Sequence, residues 1–174
     1  MDVLIRKVNG LVWTSDRHVC DVANVPATLI QHKRELFARN CELSFWHLNT
    51  TDPTWEDDAF LALLGVADRL DTIELAAVNL SAFEAAGIEI ESSTVDTRFP
   101  SLATLHRDAV KLDGKRLVAI AELLNDAILQ QCTRLRTREE LIETLVRGVG
   151  TRRLAKAAQL PKDMKEALAG RGIN

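Results

Sequence analysis

The chain has 174 residues, 47% of them hydrophobic and 27% charged, with a net charge of −3 at neutral pH. That composition excludes fibrous, low-complexity and membrane-embedded classes. It fits one globular domain that can bury roughly 70% of its unfolded surface without a disulfide or metal. The charge is divided unevenly: residues 1–133 carry −8 and residues 134–174 carry +5, an acidic body with a basic end.

Cys20, Cys41 and Cys132 are odd in number and widely spaced, unlike a secreted disulfide framework. They predict reduced thiols and a cytoplasmic location. The opening MDVLIRKVNG places Asp2, Arg6 and Lys7 where a signal peptide needs an apolar core. No apolar run approaches the ~18 residues of a membrane span.

Residues 3–13 predict a β-hairpin, because Asn9-Gly10 suits a turn that needs positive φ at both positions. After a loop, Leu29, Ile30, Leu36 and Phe37 recur at helical spacing, with Pro26 at the start and Asn40 at the stop. Leu43 to Leu48 then predicts a strand apolar on both faces. The segment NTTDPTWEDD starts a helix, with Asp52 as cap, Pro53 in the first turn, and Glu56, Asp57 and Asp58 complementing the positive helix end. Residues 72–92 predict strand, helix and strand, the helix closed by Gly87, so that the two strands can lie parallel in one sheet. A helix is expected from Ser101 to Val110.

Lys115 to Cys132 is the predicted central helix. Leu117, Ile120, Ala121, Leu124, Ala127 and Ile128 form a broad apolar face, and Val118 and Leu129 intrude on the far side. Such a helix should be covered from more than one side. Beyond it everything reads as helical. Thr137 and Glu140 form a capping box, Gly148 and Gly150 stop that helix, and two short helices at 151–159 and 162–169 flank Pro161.

No local pattern fixes a reaction or a cofactor. His18, Cys20, Cys41 and His47 are zinc-type ligands at spacings that match no zinc motif. A thiol paired with His18, His47 or His106 lacks any nucleophile signature. Gly148 to Arg153 lacks a preceding strand and a Walker lysine. Neither a metal nor a cofactor is expected, and the weight lies against an enzyme.

Two surfaces carry the functional expectations. Trp55, Glu56, Asp57 and Asp58 place an aromatic amid carboxylates, which suits a protein partner. The alternative is a DNA-associated regulator whose segment 151–170, helix-turn-helix-like, offers Arg152, Arg153, Lys156, Lys162 and Lys165. For both, a helical hairpin or a solvated face is the plainer explanation. The two signs of charge also permit head-to-tail self-association.

The expectation is therefore an α+β fold, with α/β as its variant. A small mixed sheet of four or five strands (3–8, 11–14, 43–48, 72–79 and 88–92) would pack on a C-terminal helical layer. Residues 1–133 would form the body, and 134–174 a basic helical extension packed on it. Its role would be non-catalytic: a cytoplasmic protein, not bound to a membrane, that binds another macromolecule.

Overall fold

The computed structural model describes residues 1–8, 42–151 and 160–173. The second hairpin strand at 11–14, the helix at 26–39 and all of the helix expected over 151–159 but Thr151 therefore lie outside the described residues, along with Trp13, His18, Cys20 and Cys41.

The fold is α+β. Among the described residues six strands form one sheet: β1 (Asp2–Val8), β2 (Leu43–Asn49), β3 (Ile73–Asn79), β4 (Glu89–Ser92), β5 (His106–Val110) and β6 (Thr133–Arg136), in the order β4-β5-β2-β1-β3-β6. All five pairings are antiparallel, so the expected mixed sheet is an antiparallel one. β1 lies at its centre, with Ile5 opposite both Trp46 and Ala77. Leu4 and Ile5 are fully buried because both faces of the sheet are covered. β3 and β4 run in the same direction, as strands joined through a helix can. Three strands separate them, so they do not pair.

Among the described residues six helices accompany the sheet: α1 (Trp55–Val66), α2 (Leu80–Ala85), α3 (Pro100–Ala103), α4 (Gly114–Leu129), α5 (Arg138–Gly150) and α6 (Lys162–Ala169). One core joins Val3, Ile5, Trp46, Leu48, Ile73 and Leu75 to α1, α5 and α6. The other joins Leu4, Phe45, Ala76, Val78 and Ala109 to α2 and α4. Alternation along each strand sends successive side chains to opposite cores. Leu141, Leu145, Met164 and Leu168 sit in the same core as α1, so the basic C-terminal part shares its packing with the acidic body.

The helix enclosed on several sides is α1, not α4. Every residue from Asp58 to Gly65 is buried, since α1 lies between the sheet and α5. α4 is amphipathic and rests on the sheet by one face: Ile120, Ala121, Leu124, Ala127 and Ile128 are buried, while Leu129 is 52% exposed. It ends three residues earlier than expected. Gln131 takes φ 58°, and Cys132 leads directly into β6, an edge strand within a stretch expected to be helical. The predicted helix over 101–110 is also corrected. Only the single turn of α3 forms, and β5 follows, because its backbone is taken up by β2 on one side and β4 on the other. Tertiary pairing here overrides local preference. Gly87 closes α2 at φ 69°, and the Thr137–Glu140 capping box is present as expected.

Candidate interaction surface

The chain before α1 sets the position of Trp55. Asp52 does not cap the helix. Its carboxylate accepts from Thr54 N and Thr54 Oγ1, at 2.8 Å each, making a local turn that delivers Trp55 as the first helical residue. The three carboxylates that follow part company. Asp58 is 8% exposed and accepts from Thr54 Oγ1 at 3.3 Å, so it is not a surface residue. Glu56 and Asp57 turn toward arginines from the basic end of the chain.

Arg134 on β6 donates from Nε to Glu56 Oε1 at 2.8 Å, and its guanidinium lies 5.9 Å from the centre of the Trp55 ring. Arg136 bonds Asp57 Oδ1 at 2.8 Å and Thr144 Oγ1 at 2.5 Å, over the Phe60 ring at 4.5 Å. Arg147 on α5 grips the same Asp57 with two donors, Nε at 2.8 Å and Nη2 at 3.0 Å. Bonds from Arg147, with Arg136 behind them, hold the Asp57 carboxyl below its ordinary range, although partial burial pushes the other way. The acidic first turn and the arginines after residue 133 thus form one clasp joining α1, β6 and α5. Here, part of the charge asymmetry of the sequence is cancelled within the fold.

Beside the clasp, where β1 begins and β3 and α4 end, lies a cleft of about 550 Å³. Trp55, Glu56, Arg134, Asp126, Gln130 and Cys132 are among its lining residues. Cys132 is an exposed free thiol whose Sγ stands 3.8 Å from Gln130 O. The cleft combines an aromatic wall, a fixed guanidinium and carboxylates, so it can take a ligand with apolar and polar groups side by side.

A second cavity, of about 630 Å³, opens on the same sheet face as the first core, lined by Trp46, His106, Lys7 and Ser44 among others. His106 packs edge-on against Trp46 at 5.1 Å, and its Nδ1 lies 2.7 Å from Ser93 Oγ. Burial pushes the imidazole below its usual value, against the opposing pull of Asp108. Sequence reasoning placed His106 on a helix and did not connect it with Ser93. Only the β4–β5 pairing brings the two together, and such a pairing leaves no local signal.

The structure does not unite the other candidates. Cys132 adjoins the outer strand β6, whereas His106 is on β5, with three strands between them. At the usual strand spacing that is roughly 19 Å. Among the described residues no group of three His, Cys, Asp or Glu side chains is placed to hold a metal. His47 lies near Asp2, at 3.4 Å. On α6, Lys162 and Lys165 are exposed while Met164 and Leu168 face the core, and Asp163 accepts from Leu70 N. Arg152, Arg153 and Lys156 lie outside the described residues. Among those described, no helix is long and apolar enough to cross a membrane. No protein-family model matches the chain, and no curated protein or solved structure gives a match either.

Proposed function

We propose that the protein acts by binding another macromolecule, a protein partner, through the cleft beside Trp55. The observation that carries this reading is the pairing of a half-buried tryptophan with a guanidinium locked in place by Glu56. Tryptophan and arginine dominate the energetics of protein interfaces, and a side chain already held in one geometry loses less entropy when a partner arrives. The reading is non-catalytic, and it supposes a cytoplasmic setting.

The test places a photo-crosslinking amino acid at position 130, which is exposed on the cleft rim. A discrete adduct in the native cell that disappears with Trp55→Ala supports the proposal, provided that variant keeps its melting temperature within a few degrees. Absence of an adduct, or one indifferent to Trp55→Ala, overturns it.

A DNA-associated role for 151–170 is the second reading, supported by the outward-facing Lys162 and Lys165. It requires a gel shift that weakens steeply with salt, and a missing shift at low salt removes it.

A further inference from the structure

Among the described residues the sheet ends in two short strands, one bearing arginines and the other glutamates. β6 is Thr133-Arg134-Leu135-Arg136, and β4 is Glu89-Ile90-Glu91-Ser92. Among the described residues β6 pairs only with β3, and β4 only with β5. Open edges invite pairing, and proteins guard them with short length and charge. Here the charges guard like against like. Two β6 strands side by side would oppose arginine to arginine, and two β4 strands glutamate to glutamate, both unfavourable. An unlike pair meets no such objection.

Direction, register and facing all agree with the unlike pair. Six strands that alternate in direction leave β6 and β4 antiparallel to each other, so a copy displaced along the sheet presents its β4 antiparallel to β6. Ala77 N donates to Cys132 O at 3.1 Å, and alternation along the ladder then turns the backbone of Thr133 and Leu135 outward. Ser93 N donates to His106 O at 3.3 Å, which by the same rule turns Ile90 and Ser92 outward. Outward groups must meet outward groups. The register that engages all four residues of each strand sets Leu135 against Ile90 and Thr133 against Ser92. It also sets Arg134 against Glu91 and Arg136 against Glu89.

The faces match as well. Arg134 and Arg136 lie opposite Leu75 and Ile73, on the side of the first core. Glu91 lies opposite Asp108, itself opposite Ser44, two residues from Trp46 and on that same side. Leu135 falls on the other side, as does Ile90, which packs against the second core. Leu135 is 59% exposed in the single chain. Arg134 and Arg136 already hold Glu56 and Asp57, and Glu89 holds Lys111 at 2.9 Å. A guanidinium has donors enough for a second carboxylate.

We propose that the occupant of both edges is a second copy of this chain: β6 of one protomer adds to β4 of the next, antiparallel and head to tail, continuing the sheet in the register given above. Such a contact is heterologous, so assembly does not stop at two copies unless the rotation per subunit closes a ring.

The test is sedimentation velocity of the full chain over a concentration series reaching about 1 mM, where so small a contact is populated. Average mass should rise past the dimer at low salt and fall back toward monomer at about 1 M salt, where screening is strong. Ser92→Pro and Leu135→Pro each delete one outward N–H and leave the inner ladder intact. Each variant alone should stay monomeric, whereas a one-to-one mixture should form dimers and stop there, since one complementary junction survives. Glu91→Lys, on an exposed side chain outside the clasp, should give the same loss as Ser92→Pro and covers the case in which a proline variant fails to fold. A wild-type chain that is monomeric throughout overturns the proposal. So does a dimer that persists with Ser92→Pro, or a mixture of the two proline variants that stays monomeric.

Discussion

Gly148→Ala tests how α5 is seated on α1. Gly148 and Gly150 read in the sequence as helix stops, yet α5 continues through both and is capped at Thr151. Gly148 is a point of close approach instead. A methyl group added there would stand 2.6 Å from Leu61 Cδ2 and 3.0 Å from Cδ1, about 1 Å inside the favourable carbon–carbon separation. Leu61 is 2% exposed and cannot swing into water to make room. Replacing glycine within a helix gains about 1 kcal/mol of propensity, while overpacking costs about 1–3 kcal/mol. The net expectation lies between no change and a loss of about 2 kcal/mol, a fall in melting temperature of up to about 8 °C for a chain of this size. A double-mutant cycle isolates the cause. Leu61→Ala alone should cost about 2–5 kcal/mol. In that background the Gly148 methyl enters vacated space, so Gly148→Ala turns neutral or stabilising, with a coupling of about 2 kcal/mol. Urea unfolding of the four proteins gives each quantity. A higher melting temperature for Gly148→Ala in the wild-type background, or additive effects in the cycle, would refute the close contact. Arg147 would then need another explanation for its reach to Asp57.

The clasp carries a pH dependence of definite sign. The native Asp57 carboxyl is held below its unfolded value of 3.8, so its contribution is present above that value and is lost as pH falls through the lowered native one. Urea midpoints should therefore drop as pH falls below about 4, and Asp57→Asn should lower the neutral-pH midpoint while flattening this part of the profile; an unchanged profile would contradict the geometry. At the start of α5, Thr137 accepts from the Glu140 backbone while Glu140 answers the Thr137 backbone. Thr137→Ala should cost about 1 kcal/mol, read by the same unfolding measurements, and a cost near zero would show the cap to be idle.

What the sequence made legible was local. The helix expected after Asp52, which begins two residues later than Pro53, the strand expected over 43–48, the α2 stop at Gly87 and the capping box all depend on neighbours in the chain, and all are present. β5 and β6 were not legible for the same reason. HRDAV and TRLR have no strong strand period, and they become strands because β2, β4 and β3 offer them hydrogen bonds across long loops. The choice of central helix failed for a related cause. α4 has apolar residues on much of its circumference, but Val118 and Leu123 are only half-buried and Leu129 is open. Apolar content sets how much burial a helix tolerates, and topology sets how much it receives. α1, with its carboxylate-rich first turn, is the helix that topology encloses.

The same distinction applies to charge. A sum of −8 followed by +5 describes the chain in one dimension, and it suggested two surfaces awaiting partners. In three dimensions three of the arginines after residue 133 fold back onto the first turn of α1, so Glu56 and Asp57 are already engaged within the molecule. This shifts what those residues can contribute. They do not act as diffuse acid that steers a basic partner from a distance, because paired opposite charges cancel beyond a Debye length. Glu56 holds Arg134 beside Trp55 at the cleft, while Asp57 ties Arg136 of β6 to Arg147 of α5. The glutamates of β4 lie at the opposite edge of the sheet from this clasp. At both edges the charged side chains already hold partners within the chain, Arg134 and Arg136 with Glu56 and Asp57, and Glu89 with Lys111, so the proposed junction between copies would place a second carboxylate on each guanidinium rather than a first.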